Sequence, residues 1–280
     1  MIWLVAITAY ASVFWVMVAN SFLQNPVGYT ANGDGTVTLT DFGALLSNPS
    51  LTMALPHVAA AAITTGGVVM AGVSAWHFIR RTNEADFFRT SLRLGVVVAF
   101  VGTFFTIGFG FAQLSPVNKV QPAKFGDDAA RQAVVDDFTA RFGPGDYLPA
   151  AYTSVGYGFM ILLAFLLFFV GLLIPLFFRD WIIRLRVPLY LLLLAVPVPF
   201  VASILGWLTR EGGRQPWAAY GLLNIKDAIT PGMSAGSMLA SYVAFTAVLA
   251  VLAITDWVLI ARAANRGPVA PREDALTPLA

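Results

Sequence analysis

The sequence predicts an all-α fold, a polytopic transmembrane helix bundle of about six spans. Three observations predict it. Of 280 residues, 58% are hydrophobic and only 11% are charged, whereas a soluble domain carries roughly a quarter charged residues. The mean hydropathy is +0.75, and the apolar residues fall into long runs of membrane-spanning length. The arginines gather in short segments between those runs, which is the placement that sets membrane orientation. The formal net charge of +2 is small, and this basic pattern points to topology and not to nucleic acid. The chain has no cysteine, which excludes disulfides, thiolate catalysis and cysteine-held zinc or iron–sulfur clusters.

The first span covers residues 2–23. It is apolar and Trp-rich, and it stops at Asn25-Pro26, because the residue before proline is pushed out of helix. It has neither a basic start nor a small-residue cleavage site, so it reads as a span and not as a removable leader. The chain enters it almost at once, which leads us to expect a further part upstream. The polar loop 27–49 contains Asn-Gly-Asp-Gly at 32–35. The acidic spacing of a calcium loop is missing there, so we read a turn.

Span two covers 51–79 and holds both histidines, His57 near its start and His77 near its end beside Arg80 and Arg81. Span three covers 91–111. Gly66, Gly67 and Gly72 in span two and Gly95, Gly102, Gly108 and Gly110 in span three permit close helix packing. Residues 115–149 form the one long polar stretch, and loops of that length tend to be functional. Within it, 127–142 reads as an amphipathic helix with Val134, Val135 and Phe138 on one side, ended by Gly143-Pro-Gly. Span four covers 150–178. Span five covers 187–208 and should kink, since Pro188, Pro197 and Pro199 each remove a helical hydrogen bond. Span six covers 234–259, and a polar tail fills 267–280.

Arginines between spans two and three, between four and five, and after six place those segments in the cytoplasm. Both termini are then expected to be cytoplasmic, and the 27–49 loop, the 115–149 loop and the end of span five face outward.

Three candidates for chemistry share the outer layer. His57 lies 23 residues before Arg80, hence roughly 35 Å from the inner end. Met160 lies 19 residues before Arg179, hence about 28 Å from that end. Histidine and methionine together form an axial pair for a low-spin haem. Taken singly, His57 also reads as a satisfied interfacial histidine and Met160 as packing. Glu211 ends span five in the same layer, within Gly206-Trp-Leu-Thr-Arg-Glu-Gly-Gly-Arg-Gln-Pro-Trp217. That string offers guanidinium forks suited to carboxylates such as haem propionates. It also fits a plain membrane interface, where tryptophan and arginine are common.

The motif Gly206-Trp207-x-x-x-Glu211-x-Gly213-Arg214-Gln215-Pro216-Trp217 resembles the signature of subunit I of the cytochrome bd quinol oxidases. Val196-Pro-Val-Pro-Phe200, Phe14-Trp-Val-Met-Val-Ala-Asn20-Ser-Phe-Leu-Gln24-Asn25-Pro26 and the place of His57 fit the same family. The resemblance covers nearly the whole chain. It implies a respiratory oxidase of the bacterial plasma membrane, passing electrons from quinol through haems b558, b595 and d to oxygen. In it His57 and Met160 would be the axial ligands of a b558-like haem b, and Glu211 would ligate or border a b595-like haem. Arg214, Gln215 and Trp217 would line the cofactor. The 115–149 stretch would be the quinol-binding loop, with Gln121-Pro-Ala-Lys124 matching its Gln-Pro-x-Lys motif. Lys124 would hydrogen-bond a quinone oxygen, and Asp127 or Asp128 would accept a proton; both aspartates also read as a solvated helix start.

The resemblance departs at three points. The family's first three helices have no counterpart here, and with them goes the histidine of the oxygen-binding haem. The loop glutamate five residues after the lysine falls on Ala129, and the arginine before the ligand methionine is Gly158. Haem d is therefore expected only if another polypeptide supplies those helices, and oxidase subunit II is the second expected partner, beside membrane lipid. The rival reading is a truncated or diverged subunit that binds at most a b-type haem and serves electron transfer or assembly without oxygen reduction. A transporter would require inverted repeats and a charged midplane site, and neither is visible.

Overall fold

The computed structural model describes residues 2–33, 36–82 and 85–268; part of the 32–35 string and nearly all of the 267–280 tail lie outside them. The chain runs α1 (Ile2–Gln24), β1 (Tyr29–Ala31), β2 (Val37–Leu39), α2 (Phe42–Leu46), α3 (Pro49–Arg80), α4 (Ala85–Ala112), α5 (Leu114–Val120), α6 (Asp128–Phe142), α7 (Tyr152–Gly171), α8 (Ile174–Phe177), α9 (Arg186–Ala195), α10 (Pro197–Gly212), β3 (Trp217–Ala219), β4 (Leu223–Asn224) and α11 (Ala235–Arg266). Among the described residues, 6 helical segments are long and apolar enough to cross a membrane. The all-α membrane bundle is as the composition requires.

Several boundaries move for physical reasons. Span three starts at Ala85 and not at 91, because Asp86 at its first turn pairs with Arg89 at 3.0 Å and suits the helix N-terminus. Span five is two helices: α9 ends at Ala195 and α10 opens on Pro197, a first-turn position where proline's missing donor costs nothing. Span four ends at Gly171, where α7 gives way to a turn and the short α8. The 27–49 loop is not featureless. Its antiparallel hairpin pairs Tyr29 with Leu39, and Asp41 caps α2 by accepting from the Ala44 amide at 2.9 Å.

The packed centre is the α3–α4 seam. A Cβ on Gly67 would come 2.8 Å from the Gly95 carbonyl oxygen, one on Gly95 2.7 Å from the Ala71 nitrogen, and one on Gly102 2.7 Å from the Thr64 nitrogen. Those three glycines let the two backbones touch. Gly66 and Gly108 face open space, and Gly110 faces His57. Around the seam, Ala71, Ala75, Leu92, Val96, Leu189 and Leu192 bury a cluster with Phe177, Ile182 and Ile183.

The arginine end is tied by Arg93, which donates to the Phe178 carbonyl and to Asp180, each at 3.0 Å. His77 is satisfied there: its Nε2 lies 2.7 Å from the Ala264 carbonyl oxygen and its ring stacks on Phe88 at 3.8 Å. At the opposite end Asn48, fully buried, caps α3 through the Ser50 amide at 2.9 Å. It also donates to the Ser21 and Asn25 carbonyls at 3.2 and 2.9 Å. This one amide fixes the end of α1 against the start of α3, and it frames the site.

Candidate functional site

The last turn of α10 carries the site. Carbonyls at a helix C-terminus lack partners within the helix, and the Arg210 carbonyl finds two outside it. Gln24 Nε2 donates to it at 3.2 Å and Lys124 Nζ at 3.1 Å. Glu211 follows at once. Arg214, one turn on, grips its carboxylate at 2.5 Å and donates from its other terminal nitrogen to the Ala218 carbonyl.

Asn20 of α1 completes the arrangement. Its Nδ2 donates to Glu211 Oε1 at 2.8 Å, and its Oδ1 accepts from Arg210 Nε at 2.6 Å. The carboxylate therefore has a guanidinium on one oxygen and an amide on the other. Asn20 and Gln24 sit one turn apart on α1, so a single face of that helix serves the whole cluster.

The 115–149 stretch reaches the cluster through a 3-10 turn, Pro122–Lys124. Gln121 donates from Nε2 to the Gln24 carbonyl at 2.7 Å and to Gln24 Oε1 at 3.0 Å. Lys124 is 5% exposed, and its stem packs against Gly213, where a Cβ would collide with it. Burial, followed by the nearby Arg210 charge, pushes its ammonium down to about 7, while Glu211 pulls the other way and Arg214 adds to the fall. Asp127 and Asp128 are exposed. Asp127 is the N-cap of α6 and accepts from the Ala130 amide at 2.9 Å. The contacts of the buried cluster include neither aspartate.

Helix α6 docks by two of the three residues expected on its apolar side, while Val135 is only partly buried. Val134 and Phe138 are buried with Tyr147 and Trp217, and the Phe138 and Trp217 rings lie 4.9 Å apart. Trp217 is 1% exposed, and it stacks on Tyr147 at 5.9 Å. It thus anchors the loop. Gln215 precedes a cis bond to Pro216, and its amide donates to the Gly212 carbonyl at 3.2 Å.

His57 and Met160 each lie eight residues into their helices, α3 from Pro49 and α7 from Tyr152, so both are about 12 Å below the site end. His57 is half-buried. Its Nδ1 is 2.9 Å from the Thr106 carbonyl oxygen; a carbonyl only accepts, so Nδ1 carries the proton and Nε2 keeps its lone pair. Gly110 leaves room beside the ring, since a Cβ there would approach Cε1 at 3.2 Å. Met160 faces α10, where a Cβ on Gly206 would stand 2.8 Å from its sulfur.

These residues suit a haem. An oriented Nε2 and a thioether are donors of the kind that can ligate a haem iron. Arg214 Nε and Trp217 Nε1 are buried without a hydrogen-bond partner, and propionates would accept from donors of that kind. Among the described residues no three His, Cys, Asp or Glu side chains cluster as a metal site.

Sequence reasoning missed Asn20, Gln24 and Asn48 as working parts. The pattern in which Asn20 and Gln24 recur one turn apart at the end of an apolar run was the available clue.

Fold and site together define a class: a polytopic membrane helix bundle with a hydrogen-bonded cluster of Asn20, Gln24, Lys124, Arg210, Glu211 and Arg214 at one end. The family profile described as Cytochrome bd terminal oxidase subunit I matches residues 1–140 and 129–268, and the chain belongs to that family of membrane oxidoreductase subunits. It is similar to the Cytochrome bd ubiquinol oxidase subunit 1 of Bacillus subtilis (strain 168), with 30% identity over 325 aligned positions, 95% of this chain and 67% of the relative. It is also similar to the Putative cytochrome bd menaquinol oxidase subunit I of the same organism, at 24% identity over 90% of this chain and 66% of the relative. The fold matches a chain of the bd oxidase from Geobacillus thermodenitrificans with a TM-score of 0.78 at 22% identity, covering 94% of this chain and 69% of that one. The chain thus spans about two thirds of these relatives.

Proposed function

We propose that this chain is the quinol-oxidising part of a cytochrome bd-type terminal oxidase in the bacterial plasma membrane, with both termini cytoplasmic. The observation that carries this reading is the seat of the Gln121–Lys124 turn on the Arg210 carbonyl, beside Glu211. The loop and the Gly206–Trp217 motif form one site.

His57 Nε2 and the Met160 thioether would hold a b558-like haem, and Glu211 would face a b595-like haem. Arg214 and Trp217 would meet propionates, with Gln215 at the turn that aims them. Haem bound there supplies one-electron redox chemistry. Quinol oxidation releases two protons and two electrons. Lys124 hydrogen-bonds a quinol oxygen, and its amine, deprotonated in part near neutral pH, takes a proton from it. Asp127 and Asp128, exposed at the start of α6, hand protons to water on the outer side. Gly213 and Trp217 hold the turn and α6 over the site and exclude solvent.

Oxidase subunit II and the part of the family fold beyond the matched two thirds complete the oxidase, including haem d. The test is quinol-dependent oxygen uptake by the assembled complex in membranes. Lys124→Met should lower kcat/KM for quinol by about a hundredfold, the usual scale of a general base. Unchanged kcat/KM would refute the assignment.

A further inference from the structure

A void of about 20 Å³ lies between Gln24, Gln121, Lys124 and Arg210, with Ser50 and Gln113 at its edge. On the scale of buried waters that is room for one oxygen atom with its hydrogens. Two of its lining residues each carry a polar atom that nothing satisfies: Arg210 Nη2, a donor, and Gln121 Oε1, an acceptor, are both buried without partners.

The orientation of the Gln121 amide follows from its neighbours. The group at Nε2 faces the Gln24 carbonyl and Gln24 Oε1, at 2.7 and 3.0 Å. Gln24 is oriented in turn, because its Nε2 donates to the Arg210 carbonyl. Two acceptors demand a donor opposite them, so the NH2 of Gln121 is there and its oxygen is the free end. Arg210 is equally constrained: its Nε is committed to Asn20 at 2.6 Å, which leaves Nη2 unused. Leaving a buried polar atom unpaired is costly, so the pair calls for a ligand.

We propose that this void is a hydroxyl-reading subsite, which distinguishes the reduced from the oxidised form of a quinone headgroup. A hydroxyl satisfies both atoms at once, donating to Gln121 Oε1 and accepting from Arg210 Nη2. A quinone carbonyl has no hydrogen to give and leaves Gln121 Oε1 unpaired. Quinol and quinone have nearly the same shape, so this hydrogen is what the subsite discriminates. Sites built to hydrogen-bond a substrate hydroxyl reject the analogue that lacks it, and here that rejection favours release of the oxidised product. The subsite rests on the quinol reading above. Both atoms are sealed from solvent, so the headgroup reaches them when the turn held by the Lys124–Arg210 bond lifts.

The experiment measures, on the assembled complex, KM for quinol and the inhibition constant of the matching quinone. Three proteins are compared: the unaltered chain, Gln121→Met and Arg210→Met. The ratio of quinone inhibition constant to quinol KM should fall about tenfold in Gln121→Met, since only the reduced form uses that oxygen. Arg210→Met should weaken both ligands by similar factors, since either oxygen accepts from Nη2. If Gln121→Met shifts both constants together, or neither, the void is a water site or packing only and the proposal fails. It fails also if Arg210→Met alters one ligand alone. Absence of quinol-dependent uptake by the unaltered complex would overturn the quinol reading as well, whereas turnover with an unchanged ratio overturns only the subsite.

Discussion

Replacing Asn20 with leucine tests whether the α1–α10 polar cluster is a structural unit. The Asn20 amide makes two bonds to charged groups, to Glu211 at 2.8 Å and from Arg210 at 2.6 Å. Hydrogen bonds to charged groups contribute about 1.5–3 kcal/mol each. Leucine occupies a similar volume and makes neither, and it leaves Arg210 Nε and Glu211 Oε1 facing a hydrocarbon. The expected loss is about 3–5 kcal/mol, in line with breaking a buried charged network. At about 2–4 °C per kcal/mol, thermal unfolding in detergent should shift down by roughly 6–20 °C. A double-mutant cycle with Arg210→Met should show coupling of about 0.5–3 kcal/mol. A loss under about 1 kcal/mol with additive effects would refute the reasoning, because Asn20 would then be a lipid-interface residue without partners.

Three further outcomes are expected. Gly206→Ala places a Cβ 2.8 Å from the Met160 sulfur, closer than a normal contact of about 3.5–4.0 Å; Met160 must retreat, and the low-spin haem fraction in the visible spectrum should fall while the complex still assembles. Lys124 has its folded pKa lowered to about 7 from 10.5, so between those values the unfolded chain binds the extra proton and stability rises with pH; melting temperatures at pH 7 and 9 should show that rise in the unaltered chain and a flatter response in Lys124→Met. Phe138 is 5% exposed in the aromatic cluster, so Phe138→Ala should cost about 3–5 kcal/mol of loop docking, read as faster proteolysis near Gly143.

What could be seen in the sequence followed from run length and local motif. Apolar stretches showed the number of spans, and residue counts to the arginines put His57 and Met160 in the outer layer; each lies eight residues into its own helix. The docking face of α6 was visible because Val134 and Phe138 recur one turn apart. Hidden features depend on long-range pairing. Asn20 and Glu211 are 191 residues apart, and nothing local to either announces the other. Asp127 beside Lys124 looks like a proton acceptor in the string, yet it also starts a helix, and the cap takes one of its oxygens. Trp217 reads as a cofactor neighbour in the motif, while its ring packs as the anchor of α6 and only its indole N–H stays free. Residue type shows which groups can act, and packing decides which atom of each is left to do so.

The most direct test of the account is a reduced-minus-oxidised visible spectrum of the assembled complex with single substitutions at the two proposed ligands. The account predicts a low-spin b-type band that disappears in His57→Ala and in Met160→Ala and persists in His77→Ala, whose ring serves the Ala264 carbonyl. A band that survives either ligand substitution, or an assembled complex with no haem, would contradict it.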